Sequence, residues 1–270
     1  MQSTKPSVSL IISTYNWKEA LKLSVESALK QSVQPDEIII ADDGSRDDTR
    51  LLVESLKAVS SVPIVHIWHE DIGFRLTTIR NKAIAASVGD YIIQIDGDII
   101  LHRHFIKDHV ETARPGCFVC GSRVGLDKES SSKIFKNQTF SSSPLSGGFK
   151  YFLNNFRFSP LRRFLAPRYG QKKVDRLRGC NMAFWKMDLV DVNGYNETLT
   201  SWGHEDAELA YRLIYAGKKK RFLKMGGIAY HLWHPEASKD DEAKHHDVIN
   251  QVKLSQSRWC EDGLRKYLKG

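Results

Sequence analysis

The first 120 residues alternate between two hydrophobic periods. Short, β-rich apolar runs recur at Val8 to Ser13, Glu37 to Ala41, Pro63 to Trp68, Tyr91 to Ile95 and Cys117 to Gly121. Between them, Lys18 to Lys30, Asp48 to Val59, Leu76 to Ser87 and Arg103 to Thr112 carry apolar residues at helical spacing. Strands alternating with helices of this length imply right-handed crossovers and a mostly parallel α/β sheet covered on both faces. The pattern breaks near Gly125. Lys128 to Phe149 is polar and Ser-rich without a clear period and reads as a mobile loop, and Lys150 to Pro167, basic and aromatic, reads as a short helical insert. Regular structure resumes with a strand in "RGCNMAFWK", a helix from about His204 to Ala216, and strands at Lys220 to Leu223 and Ile228 to Leu232. A charged helical region, about Lys239 to Leu268, closes the chain. There is no internal repeat and no long linker. The expected parts are 1–122, 123–177, 178–235 and 236–270, working as one unit.

Composition narrows this picture only in places. The 270 residues suit one large domain, or one domain with an appended subdomain, and a hydrophobic fraction of 41% supplies a sizeable core. No apolar run approaches the roughly 20 residues that span a bilayer. The opening "MQSTKPSVSLIISTYN" lacks the basic head and small-residue cleavage site of a signal peptide, so a cytoplasmic location is expected. Four cysteines are too sparse for a disulfide scaffold, and Cys117 and Cys120 read as strand thiols. The formal net charge of +8 is uneven: Lys128 to Arg178 holds twelve basic residues against two acidic ones. That surface is either simply solvated or faces anionic lipid, an anionic glycan or nucleic acid.

The chemistry sits at strand ends. In open α/β sheets ligands bind beyond the carboxyl ends of the strands. "STYN" (Ser13 to Asn16), "DDGS" (Asp42 to Ser45) and "DGD" (Asp96 to Asp98) follow the first, second and fourth strands. Bare phosphate sites use glycine-rich loops and helix N-termini, and neither G-x-G-x-x-G nor G-x-x-x-x-G-K occurs here. Acids in this number instead suit a divalent ion, Mg²⁺ or Mn²⁺, which in turn holds phosphates. Such an ion would relieve the repulsion between Asp96 and Asp98.

"VSLIISTYN", "IIIADDGSRDDT", "GFRLTTIRNKAI" and "GDYIIQIDGDI", in this order, resemble a family 2 glycosyltransferase of the GT-A fold, a Rossmann-like sheet flanked by helices. "SWGHEDAELAYRL" is similar to the W-G-x-E-D segment of galactosyltransferase-type and chondroitin-polymerase-type relatives. The resemblance spans residues 8 to about 234; the Ser-rich loop and the basic insert match nothing in it. It implies a nucleotide-sugar donor, usually a UDP-sugar, and a hexosyl transfer that inverts the anomeric carbon. It makes 1–122 the donor-binding half and 178–235 the acceptor-side half.

Residue by residue, the resemblance implies that Asp43 accepts from the uracil imide, with Asp42 sharing that role or orienting the loop. Thr14 and Asn16 lie beside the nucleoside. Arg80, or Arg75, holds the base or diphosphate. Asp96 contacts the ribose or a metal-bound water, and Asp98 ligates the ion. His231 completes the metal shell, with His234 the alternative. Asp206 is the general base, Glu205 binds acceptor hydroxyls, Trp202 stacks on a sugar face and Asn181 touches a sugar hydroxyl. Outside the resemblance, the basic Ser-rich region could close over the donor and exclude water, a usual role for a lid.

Each feature also has a plainer reading. "DDGS" is good turn chemistry, with Asp48 or Thr49 able to cap the next helix. Arg80 could pair with an acid on its helix surface. Glu205 and Asp206 suit a helix's first turn through the dipole alone. Trp202 could be core, Asn181 a buried strand residue, and either histidine an interior hydrogen-bonding group. Two rival functions remain at this point: a sugar nucleotidyltransferase, which lacks its glycine-rich, arginine-containing loop here, and a nucleic-acid binder, which acidic strand ends oppose. No nucleic-acid partner is expected. The expected partners are the donor, a glycan or lipid-linked acceptor in bacterial surface-polysaccharide assembly, and peripheral contact with the inner face of an anionic membrane.

Overall fold

Two strands have no polar alternation because both of their faces are covered. Every residue of β1 (Val8–Thr14) and β2 (Glu37–Asp42) is buried. They lie inside a seven-stranded sheet with β3 (Ile64–Trp68), β4 (Tyr91–Asp96), β6 (Cys117–Gly121), β9 (Met182–Trp185) and β10 (Lys219–Leu223), in the order β10-β6-β9-β4-β1-β2-β3. All neighbours are parallel except β9, which runs antiparallel to both β4 and β6. The computed structural model describes residues 5–138, 140, 149–171, 173–174, 177–235 and 242–268.

Alternate residues of each central strand feed opposite layers. Leu10 and Ile12 of β1 pack with Leu21 and Val25 of α1 (Lys18–Leu29), Val53 of α2 (Asp47–Val59) and Phe105 of α4 (Phe105–Thr112). Ile11 faces the other way, into a cluster with Ile79 and Ala83 of α3 (Leu76–Ala86), Leu189 of α7 (Lys186–Asp191) and Leu209 and Leu213 of α8 (Glu205–Tyr215). A second, four-stranded sheet joins β5 (Ile99–Leu101), β11 (Ala229–His231), β7 (Val124–Leu126) and β8 (Phe149–Lys150) in that order. It stands over a third cluster around Ile100, Val124 and Tyr230.

Acids at the two rims of the main sheet are treated differently. At the amino ends, buried Glu37 accepts through Oε1 from both the Ser9 hydroxyl at 2.5 Å and the Val88 N–H at 2.6 Å, which ties it inside the fold. At the carboxyl ends, Asp43, Asp96 and Asp98 line a cleft.

Three expectations need correction. The Ser-rich segment begins as a helix, α5 (Lys128–Asn137), capped by Asp127, which accepts from the Ser130 N–H at 2.8 Å. Its serines hide the period, because only Ser131 and Ile134 are buried along it. Residues 141–148, where the lid was expected, lie outside the described residues. The insert contributes one helix, α6 (Ser159–Leu165). The C-terminal helix α9 (Glu242–Ser255) stops well short of Leu268, and a separate 3₁₀ turn at Leu264–Tyr267 packs on α3. Finally, neither Asp48 nor Thr49 caps α2, which starts at Asp47; Asp48 pairs with Lys18 at 3.0 Å.

Candidate active site

Parallel pairing brings the acidic strand ends to one rim. Ser13 is in register with Asp96, and Thr14 with Asp42. Gly97 permits a close fold-back: its N–H donates to the Ser13 carbonyl at 2.7 Å, and a Cβ there would sit 3.0 Å from that oxygen. Above the rim lies a cleft of about 890 Å³. Thr14, Asp43, Asp96 and Asp98 line it together with Trp202, Glu205, Asp206 and His234.

β11 runs antiparallel to β5, which places His231 opposite Ile99 beside the D-G-D turn. Both His231 Nε2 and His234 Nε2 lie 3.2 Å from Asp98 Oδ2, and 3.3 Å from each other. The sequence preferred one histidine over the other; the fold supplies both. These imidazoles hold the Asp98 carboxyl well below the usual carboxylate range, against a burial effect that pushes it up. The hydrogen bond to Asp98 in turn raises His234. The second oxygen, Asp98 Oδ1, is buried without a partner. Two imidazoles, one carboxylate and an orphaned oxygen, with ligand atoms within 4.8 Å of one another, form a donor set that fits a divalent cation. Asp96 is not part of that trio.

Asp96 belongs instead to a hub on Arg80. This arginine is buried to 1% exposure, and its Nη2 meets Asp96 Oδ1 at 3.0 Å while Nη1 meets Asp206 Oδ1 at 3.3 Å and Glu205 Oε1 at 3.5 Å. One cation therefore serves three carboxylates drawn from β4 and α8. Burial opposes the arginine's charge, but the surrounding anionic groups hold it firmly protonated. Arg80 does not sit on the exposed helix surface.

Glu205 and Asp206 open α8, preceded by a left-handed turn at Gly203 (φ 108°) and His204 (φ 72°). Burial, then the neighbouring Glu205, pushes the Asp206 carboxyl up to about 6, against the pull of Arg80. Burial also raises Glu205 and Asp96. Asp206 Oδ1 lies 3.1 Å from the Tyr195 hydroxyl, and a Cβ on Gly179 would lie 2.2 Å from its Oδ2. Gly179 is thus the residue that admits the carboxylate. Trp202, 45% exposed, stands at the cleft and outside the core.

At the other end of the cleft, Asp43 is held by the His69 Nε2 at 2.6 Å and the Arg75 N–H at 3.0 Å. Three expected contact residues are placed elsewhere, and Asp42 takes the second of its two expected roles. Asp42 is fully buried beneath the loop, bound to the Ser45 N–H at 2.8 Å and His66 Nε2 at 2.9 Å, so it shapes the turn. Asn16 accepts from the Arg46 N–H at 3.0 Å and ties the first loop to the second. Arg75 turns its guanidinium onto the Glu70 carbonyl. Asn181 is fully buried, its amide spent on His109, Ser122 and Gly227. None of the four lines the cleft. Sequence reasoning missed His69 and Tyr195, which carry no motif, and Gln94, which sits within "GDYIIQIDGDI" as one more strand residue; all three reach the site only through the fold.

The architecture and this rim define a GT-A glycosyltransferase fold. A mannosyltransferase from Pyrobaculum calidifontis, solved with GDP-Man and Mn²⁺, superposes with a TM-score of 0.65 at 16% identity, over 94% of this chain and 65% of that one. Residues 1–349 of S. aureus TarS, solved with UDP-GlcNAc, give 0.65 at 16% identity over 97% and 69%. Residues 9–189 match Glycosyl transferase family 2, and the chain belongs to that family. Residues 160–235 also match a model described as the N-terminal domain of galactosyltransferase. The chain is 26% identical to a chondroitin synthase of Pasteurella multocida, over 91% of its own length and 27% of the relative's. It is 25% identical to a validoxylamine A glucosyltransferase of Streptomyces hygroscopicus subsp. limoneus, over 77% and 48%. The chain thus spans about a quarter to a half of these relatives.

Proposed function

We propose that this glycosyltransferase moves a hexose from a UDP-sugar to a hydroxyl of a glycan or lipid-linked acceptor, with inversion at the anomeric carbon. The observation that carries the reading is one cleft flanked by the Asp98, His231 and His234 trio and by Asp206. In this reading Asp98 and the two histidines hold Mn²⁺, for which mixed nitrogen and oxygen donors are better suited than for Mg²⁺. The ion supplies Lewis-acid neutralisation of the departing diphosphate.

The remaining roles belong to the chain's own side chains. Asp43, fixed by His69 and the Arg75 N–H, accepts from the nucleobase, and Thr14 lies along the nucleoside. Asp96 meets the ribose or a metal-bound water. Trp202 and Glu205 orient the acceptor. Asp206 takes the proton of the acceptor hydroxyl as that oxygen bonds to the anomeric carbon; the bond from that carbon to the phosphate oxygen breaks on the opposite face. Residues 1–122 then serve the donor and 178–235 the acceptor, with 123–177 and 236–270 as supports. The similarity to chondroitin synthases supports polysaccharide assembly as the setting, at the cytoplasmic side of a membrane. The deciding experiment is a donor screen with and without Mn²⁺. Release of nucleoside diphosphate from a UDP-sugar upon transfer is expected; pyrophosphate release from a nucleoside triphosphate, or salt-steep RNA binding indifferent to Asp98→Ala, would overturn the reading.

A further inference from the structure

Behind Asp206 lies a hydrogen-bond chain with one proton too few. Tyr195 Oη is 2.9 Å from Gln94 Oε1 and 3.1 Å from Asp206 Oδ1. A phenol carries a single proton, and both neighbours are acceptors. Gln94 cannot turn its amide to supply a second one, because its Nε2 already donates to the Gly179 carbonyl at 3.0 Å. Tyr195 and Gln94 are both buried, so water does not fill the deficit.

The deficit vanishes in one protonation state. With Asp206 ionised, the phenol donates to the carboxylate and Gln94 Oε1 goes without. Once Asp206 holds a proton, its carboxyl donates to Tyr195 Oη, and the phenol's own proton turns to Gln94. Each arrangement uses the same heavy-atom positions. We propose that Tyr195 and Gln94 are positioning residues that set the proton affinity of Asp206, through a hydroxyl that turns between them; this rests on the reading of Asp206 as the general base. No proton is gained or lost in the turn. The proton that Asp206 receives comes from the acceptor, and the chain makes room for it.

The charged and titratable groups that face Asp206 are Arg80 from α3, Glu205 from its own helix, Asp96 from β4 and Cys120 from β6. Burial holds the Cys120 thiol neutral, so it contributes no charge. Burial and Glu205 push Asp206 up to about 6, a value useful to a base at neutral pH.

The test uses opposite substitutions. Tyr195→Phe removes a hydrogen bond that favours the charged carboxylate, so the acid limb of the kcat/KM profile moves up. Gln94→Leu removes the phenol's alternative acceptor and fixes its proton on Asp206, so that limb moves down. Each shift is expected to be on the order of one pH unit. Carbon-13 NMR titration of the Asp206 carboxyl reads the same shifts without turnover, and Gln94→Met replaces the leucine variant if that fails to fold. A merely structural role lowers activity in both variants and leaves both titrations in place; that result, or shifts of the same sign, overturns the proposal. Asp206→Asn is the parallel control. If it keeps full transfer activity, the base reading itself fails; if it is inactive while the titrations do not move, only the hydroxyl switch fails.

Discussion

Asp98 carries more of the proposed chemistry than its neighbour two residues earlier, and the reason is partner choice. Asp96 spends an oxygen on Arg80, whereas Asp98 faces two imidazoles and keeps Oδ1 unpartnered. Asp98→Ala is therefore expected to lower Mn²⁺ affinity by about 100-fold or more, and single alanine variants of His231 and His234 by about 10-fold or more each, as read by calorimetry. Asp206 acts on a different observable. On the proposed reading of Asp206 as the general base, Asp206→Asn is expected to reduce kcat by about 10² to 10⁴ while leaving UDP affinity unchanged, since a general base contributes to the chemical step alone. Only the ionised carboxylate accepts a proton. With Asp206 near 6, kcat/KM should hold above about pH 7 and fall tenfold per unit as pH drops through 6. A profile flat down to pH 4.5 would exclude this carboxyl as the base.

At the level of elements, the turn from Arg178 to Asn181 sets where α8 can dock. Gly179 leaves room for Asp206, whose carboxylate Tyr195 and Arg80 anchor and which therefore cannot step aside freely. Gly179→Ala is expected to cut kcat by about tenfold or more through a displaced base, with Mn²⁺ and UDP binding preserved in calorimetry. The β-α alternation, and hence the strand ends at Asp43, Asp96 and Asp98, was legible in the sequence because buried strands and amphipathic helices have distinct periods. Helix α5 was not, since serines fill its exposed and buried positions alike. Asn16 and Asn181 turn away from the cleft for a common reason: a motif gives position along the chain, but the direction of a side chain depends on neighbours such as Arg46 and His109 that are distant in sequence. Tyr195 and Gln94, 101 residues apart, meet only after the sheet has formed.

For the whole molecule, the unevenness of charge becomes a surface. From Lys150 to Val174 there are seven basic residues and no acid; buried Arg162 and half-buried Arg157 pair inward with Asp108, while Tyr151, Leu153, Phe158 and Phe164 are more than half exposed. Solvent-facing aromatics interleaved with arginines suit the headgroup layer of an anionic bilayer. Among the described residues no helix is long and apolar enough to cross a membrane. Co-sedimentation with phosphatidylglycerol vesicles, absent with phosphatidylcholine and weakened by serine at Leu153 and Phe158, is the expected outcome; equal binding to both vesicles would refute an electrostatic contact. The antiparallel strand β9 has a different bearing on the whole. It comes from the segment that carries the acceptor-side residues, yet it is wedged between β4 and β6 of the donor-side segment. A truncation after residue 122 would strip both of those strands of a neighbour and leave raw amide edges, inviting aggregation rather than yielding a UDP-binding fragment. The segments proposed to serve the two substrates are thus a single woven unit that cannot be dissected with scissors.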